Sequence, residues 1–323
     1  MKRALALGAT AVAAEKAYKR ATALDLHGKR AVVTGGSRGL GFALAQELRA
    51  HGARVTICAR GEEQLLAARA KLGDDVVAIP CDVGDRAQVE AFISEVGPVD
   101  VLINNAGVIA VGPWQTQTLD DFRELVDIHL WGTVHTTLAV LPEMVERGGG
   151  RIVNITSIGG KVSVPWLLPY NTSKFAAVGF SEGLRAELAG TGVKVTTVVP
   201  GLMRTGSFLA AYFKGDRAQL EYSLFAPLSG TPATTVSAER AAKRIVTALR
   251  RGDPELTLGL HAKLAARANG IAPGVVQTAL SLVARALPEV HGTGRIRGSQ
   301  IVSAVDESPL TAPGRRAADR LNQ

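Results

Sequence analysis

Cysteine is scarce in this chain: 323 residues contain only Cys58 and Cys81. Two thiols cannot build the disulfide framework of a small secreted domain, so a reducing, cytoplasmic setting is expected. Aromatic residues make up only 5%, and no internal repeat is visible, which excludes solenoid and propeller architectures. Long hydrophobic runs are also missing. The uncharged run Ala4–Ala14 follows Lys2 and Arg3 as in a secretory signal, but it is short and alanine-rich. A short helix packed on the domain, or lying on a membrane surface, is the expectation there. The longest uncharged stretch near the C-terminus is interrupted by Pro273 and Gly274, which excludes a spanning helix.

Charge of one sign is absent from the middle of the chain. Residues 31–250 carry equal numbers of basic and acidic side chains, and the net charge of +8 resides in the two ends. Residues 1–30 contribute +5 and residues 251–323 contribute +3. No recognition motif or aromatic-basic platform accompanies this charge, so a nucleic-acid partner is not expected. Peripheral contact of the basic extensions with an anionic membrane is the remaining electrostatic reading.

What is present is an alternation of short apolar runs and helical patterns. Strands are expected near 30–34, 54–59, 76–80, 99–103, 151–156, 194–199 and 255–258. Helices are expected near 40–51, 62–72, 86–96, 119–147 and 170–190. Alternation of this kind predicts an α/β fold, a doubly wound parallel sheet of about seven strands with helices on both faces. The strands read as continuous apolar runs, as a sheet buried on both sides requires. Three regions follow: an extension at 1–23, a catalytic domain at 24–260, and a second extension at 261–323. In the last, Val276, Leu280, Val283 and Leu287 recur at helical spacing. Beyond Gly292 the composition is polar and basic, that of a segment able to stay disordered.

Two constellations carry chemistry. Tyr170 and Lys174 are four residues apart, one turn on a common helix face. An ammonium group there favours phenolate and would lower the tyrosine pKa toward neutrality, which suits acid–base work. Upstream, K-R-A-V-V-T-G-G-S-R-G-L-G runs from Lys29 to Gly41 as strand, glycine turn and helix. Glycines permit close backbone approach to a pyrophosphate, and the helix N-terminus offers free N–H groups.

These motifs resemble those of the short-chain dehydrogenase/reductase family, over roughly Leu24 to Leu260. The landmarks are Thr34–Gly41, C-D-V at Cys81–Val83, N-N-A-G at Asn104–Gly107, I-T-S at Ile155–Ser157, Y-N-T-S-K at Tyr170–Lys174, and Pro200-Gly201. The resemblance implies a Rossmann-type oxidoreductase interconverting a carbonyl and an alcohol. In it Tyr170 is the general acid or base, Lys174 tunes Tyr170 and binds ribose, and Ser157 bonds the substrate oxygen. It also implies a nicotinamide cofactor held by Gly35, Ser37, Arg38, Gly39, Leu40, Gly41, Asp82, Val83, Asn105, Ala106, Gly107, Tyr170, Lys174, Pro200, Gly201 and Thr205, with no metal. A dimer or tetramer through the helices near 119–147 and 170–190 is the family expectation.

At the end of the second strand stand Cys58-Ala59-Arg60, with no acid to bind a ribose 2′-hydroxyl. Arg60 and Arg38 suit the 2′-phosphate of NADP(H) instead. His129 stands where the family usually carries an asparagine that supports a proton relay. Two readings stay open for it, a titrating relay member or a packing residue. The segment Leu202–Val236 corresponds to the substrate lid. Its Met203, Phe208, Leu209, Tyr212, Phe213, Tyr222, Leu224 and Phe225, with Trp114, Trp166 and Leu167 nearby, suggest an apolar ketone or aldehyde. The alternative is ordinary packing. Two further alternatives for the chain as a whole are a cofactor-binding protein with little turnover and a membrane-surface lipid or steroid-type dehydrogenase.

Overall fold

In a computed structural model, residues 22–301 and 304–323 are described. Residues 1–21, most of the expected N-terminal extension, lie outside the described residues. Seven parallel strands form the central sheet: β1 (Arg30–Thr34), β2 (Arg54–Ala59), β3 (Val77–Pro80), β4 (Val101–Asn104), β5 (Gly150–Ile155), β6 (Val193–Pro200) and β7 (Glu255–Leu258). Their spatial order is β7-β6-β5-β4-β1-β2-β3. The order reverses beside β1, and ligands of such sheets bind at that switch point, beyond the carboxyl ends of the strands.

Helices cover both faces. Helices α1 (Gly39–Ala50), α2 (Glu62–Leu72) and α8 (Ala238–Arg251) pack with Ala31, Val33, Val55 and Ile57 in one core. Helices α3 (Arg86–Val96), α5 (Gly132–Glu146) and α6 (Leu168–Glu187) pack with Val32, Leu102 and Ile152 in the other. Alternate residues of one strand thus serve opposite cores, which is why the strands read as unbroken apolar runs. α4 (Leu119–Val126) leads into α5 through a π-helical turn, Asp127–Trp131. A turn of this kind is rare and concentrates at functional sites.

A third layer sits over the carboxyl edge. Strand Tyr212–Lys214 pairs with Ala110–Val111 on one side and Arg295–Arg297 on the other. Behind it α7 (Ala218–Gly230) buries Tyr222 and Ala226 with Phe208, Phe213 and Ile301. Here the composition misled. The segment after Gly292 folds through Arg295–Arg297 and ends in α11 (Ala312–Arg320), whose Ala317 and Ala318 are buried. Its apolar content is low, but it borrows a core from the lid.

Between β7 and that segment, α9 (Leu260–Ile271) and α10 (Pro273–Ala286) form a hairpin. Val276, Leu280 and Leu287 are half-buried, while Val283 of the expected stripe is exposed, and α10 contains no buried residue.

Candidate active site

The carboxyl ends of β1 and β4 meet through Thr34. Its hydroxyl accepts hydrogen bonds from the backbone N–H groups of Asn105 (2.9 Å) and Ala106 (3.1 Å). The Asn105 side chain donates to the carbonyls of Thr34 (3.0 Å) and Gly35 (3.1 Å). Gly35 has φ +62°, and a Cβ there would stand 2.8 Å from the Ala106 Cα. At Gly41 a Cβ would stand 2.1 Å from the Gly35 carbonyl oxygen. Both positions therefore require glycine. Leu40 faces the core, so only its backbone belongs to the turn. The amide of Gly39, the first residue of α1, has no side-chain cap, and no acid occupies the first helical turn.

That amide is nevertheless bonded. Gly39 donates to the Leu321 carbonyl (2.8 Å), and the Asn322 side chain donates to the carbonyls of Ser37 (2.8 Å) and Gln64 (3.1 Å). Gln323 follows: its Nε2 lies 3.0 Å from the position a Gly39 Cβ would take. Thr205 is close on the same side, 3.7 Å from that position. The last three residues of the chain thus lie on the glycine turn.

Arg38 and Arg60 approach each other near this turn, joined by Arg297 from the C-terminal segment. Burial and the two neighbouring guanidiniums push Arg38 below its ordinary pKa. Arg60 also lies 3.9 Å from Asp82, whose other oxygen accepts from the Gly84 amide (3.0 Å). A cleft of about 370 Å³ opens here, with Arg60, Asp82, Asp85 and Asp127 among its walls. Val83 is buried beside Gly132. Cys58 and Cys81, behind the cleft, are buried free thiols.

Ser157 lies two residues past β5, at the head of a short turn, and its hydroxyl accepts from the Gly159 amide (3.0 Å). α6 carries Tyr170 and Lys174 toward it. Lys174 is buried, donates to the Ile155 carbonyl (3.1 Å), and holds its ammonium 5.8 Å from the centre of the Tyr170 ring. Burial depresses Lys174 to about 7. The expected lowering of Tyr170 is not found. Desolvation raises the phenol, and the hydrogen bond with Ser157 only partly opposes it. Lys174, itself depressed by burial, does not offset that desolvation.

His129 is buried in the π-helical turn, and both ring nitrogens have partners. Nε2 accepts from the Val108 amide (3.2 Å), which fixes the proton on Nδ1, 2.7 Å from the Ser173 hydroxyl. Ser173 in turn donates to the Tyr170 carbonyl (2.9 Å). Burial and the nearby Lys174 hold His129 well below the usual histidine range, so it stays neutral. The ring meets Tyr170 edge-on, with centres 5.4 Å apart, and Gly107 leaves room for it. Of the two readings left open for His129, this geometry favours the packing one, with the ring tied to the Tyr170 backbone through Ser173. Sequence spacing singled out neither Ser173 nor Val108, since their roles depend on partners distant in the chain.

Pro200 ends β6 opposite Leu258, and Gly201 donates to the Leu258 carbonyl (2.9 Å). Below the site a buried chain links Thr136, Asn104, Asn154, Ser181 and Thr197, fastening β4, β5 and β6 to α5 and α6. In the lid, Phe208, Phe213 and Tyr222 are fully buried against one another. They fill the lid's own core, which is the packing alternative for these three side chains. Met203, Leu209, Trp166, Leu167 and Ile109 remain partly accessible. Trp166 has φ +67°, a strained backbone setting within the loop between Ser157 and Tyr170.

The profile of the short chain dehydrogenase family matches residues 29–212, more than half of the chain. This chain is a short-chain dehydrogenase. It is 38% identical over 183 residues to ketoacyl reductase HetN of Nostoc sp., a match spanning 54% of this dehydrogenase and 64% of that protein. A short-chain dehydrogenase from Streptomyces avermitilis shares its structure with a TM-score of 0.70 at 34% identity, covering 80% of this chain and 98% of the other. A short chain dehydrogenase from Burkholderia cenocepacia, solved in complex with NADP, aligns with a TM-score of 0.67 at 27% identity, covering 80% and 99%. The dehydrogenase is thus an oxidoreductase of a family that binds a nicotinamide cofactor, and its seven-stranded sheet is the family's.

Proposed function

We propose that this short-chain dehydrogenase reduces an apolar ketone or aldehyde to its alcohol with NADP(H). The observation that carries the reading is the grouping of Ser157, Tyr170 and Lys174 beside a glycine turn too tight for any other residue. The residues suit a dinucleotide. The Gly39 amide and the open backbone of Gly35 would hold the diphosphate, and Ser37, Gly41, Asn105, Ala106 and Gly107 would shape its bed. Arg38 and Arg60 would pair the 2′-phosphate, Asp82 and Val83 would border adenine, and Pro200, Gly201 and Thr205 would border nicotinamide. The NADP complex of the Burkholderia relative supports that choice.

Bound there, the cofactor supplies a hydride. The chain's own part is the proton and the orientation. Tyr170, kept protonated by burial, holds the proton for the substrate oxygen. Ser157 donates to that oxygen as charge develops. Phenolate formation would draw Lys174 back toward its charged form, since opposite charges favour one another. His129 holds the Tyr170 backbone through Ser173. Met203, Leu209 and Trp166 favour an apolar substrate, and the Nostoc relative's name, ketoacyl reductase, fits a carbonyl one. The test is NADPH consumption over ketones and aldehydes graded by size. Turnover confined to polar hydroxy acids or sugars would overturn the substrate class.

For assembly, Leu138, Val145 and Phe175 are exposed on α5 and α6, which supports a homo-oligomer through those helices. For location, the helical hairpin supports a second reading, peripheral docking on an anionic membrane. Ile271 (85% exposed) and Val275 (72%) stand at its tip, with Leu264 and Leu282 on its flanks. Residues 256–288 contain no acid, while Lys263, Arg267 and Arg285 are basic. Two such hairpins would repel each other; anionic lipid complements both features. No helix among the described residues is long and apolar enough to cross a membrane. Flotation with anionic vesicles, lost in Ile271→Glu/Val275→Glu, is the expected result. Absence of vesicle binding, or a variant that only dissociates a dimer, would overturn this reading.

A further inference from the structure

The C-terminal residues lie where the proposed cofactor site needs free groups, and this arrangement goes beyond the assignment of a reaction. The Gly39 amide, the donor at the head of α1, is consumed by the Leu321 carbonyl. Asn322 sits at φ +58°, and its side-chain amide bridges the carbonyls of Ser37 and Gln64, while Gln64 Nε2 donates back to the Asn322 carbonyl (3.4 Å). Leu321 is buried in the same core as α1 and α8. Upstream, α11 is seated firmly: Gly314 lies against Phe208 and Gly230 so closely that no Cβ would fit, and Arg320 pairs with Glu239 of α8 (3.3 Å). The three terminal residues are therefore held in place from both sides. In contrast, the cleft at Arg60 and Asp82 stays open. The adenosine end of the proposed site is accessible while its diphosphate end is covered.

We propose that Leu321–Gln323 are a self-inhibitory plug that must leave the glycine turn before NADP(H) binds. A carbonyl oxygen and a phosphate oxygen cannot both accept from one Gly39 N–H at the same position. The cofactor then binds only the fraction of molecules with the plug released, and the apparent affinity is reduced by that fraction. Gln323 and Thr205 lie on the same side of Gly39, so release also frees the edge of the lid. The plug rests on the cofactor reading given above, and its test separates the two.

The experiment compares the full chain with a chain ending at Arg320 and with Asn322→Ala, whose side chain loses both amide bonds and disfavours φ +58°. NADPH binding is measured by fluorescence titration, and hydrogen exchange over 312–323 is followed with and without NADP⁺. The truncated chain should bind at least tenfold more tightly, Asn322→Ala should bind several-fold more tightly, and NADP⁺ should raise exchange in the tail of the full chain. Should truncation prevent folding, Asn322→Ala and the exchange measurement still decide. Equal or weaker binding by the folded variants, or slower tail exchange with NADP⁺, would overturn the plug and leave the cofactor assignment standing. No dinucleotide binding by any of the chains would overturn both.

Discussion

At Tyr170 desolvation and hydrogen bonding pull in opposite directions, and desolvation prevails. A phenol held above its ordinary value near 10 stays protonated through neutral pH, so it is poised to donate. Reduction should therefore hold steady across neutral pH and fall only in strong alkali, while alcohol oxidation, which needs phenolate, should climb with pH; paired pH–rate profiles check this. Lys174 carries a separate cost. Its folded pKa of about 7 lies below the ordinary 10.5, so the folded chain binds fewer protons than the unfolded chain in that window. Stability must then rise as pH climbs from about 7 to 10.5, with the penalty fully present below 7. Lys174→Met should be more stable than wild type at pH 6, by up to about 5 kcal/mol, with the gap closing toward pH 10.5. His129→Ala should cost about 1–3 kcal/mol by leaving the Val108 amide unpaired, without moving the pH–rate profile. The proximity of Tyr170 and Lys174 was legible because four residues on a helix share one face, while Ser157 entered through the family resemblance. The brace from His129 was not legible, because Ser173 acquires its meaning only when α6 packs against the π-helical turn.

At the scale of elements, the lid is fastened by charge as well as by aromatic packing. Lys214 is buried, pairs with Asp121 at 2.8 Å, and donates to the Thr293 carbonyl at 3.0 Å. Its backbone amide donates to Glu221 (3.0 Å), whose carboxyl burial pushes up to about 8. Asp121 also closes the capping box at the head of α4 with Thr118. One lysine thus ties the lid to α4 and to the C-terminal segment. Lys214→Met should destabilise the fold by about 3–5 kcal/mol, since it leaves a buried carboxylate without its partner; thermal melting checks this. The seven strands could be read because burial on both faces writes itself into the sequence as unbroken apolar runs, and the helices between residues 39 and 187 by their periodicity, whereas α8 was not among the expected helices. Lid aromatics are ambiguous on the same criterion. Phe213 and Tyr222 are equally apolar whether they line a pocket or fill a core, and only the packing of α7 decides between them.

At the scale of the molecule, a neutral catalytic core carries two basic ends, and the C-terminal end returns to the core. Composition predicted a loose tail because residues 292–323 contain few large apolar side chains. The tail instead uses alanine and glycine to nest closely on Phe208 and Gly230, a fit that no hydropathy pattern reports. The arginines at the cofactor cleft offer a second whole-site test. Arg60→Glu should weaken NADPH binding by roughly 10- to 100-fold while sparing NADH, the loss expected for a charge-assisted pairing. The central claim is that Tyr170 supplies the proton to a carbonyl reduced with NADPH. The most direct measurement is the rate of NADPH-dependent carbonyl reduction by wild type and by Tyr170→Phe, with binding of NADPH monitored in both. The account predicts undiminished binding and a rate lower by about 10²–10⁴-fold in the variant; equal rates in the two proteins would contradict it.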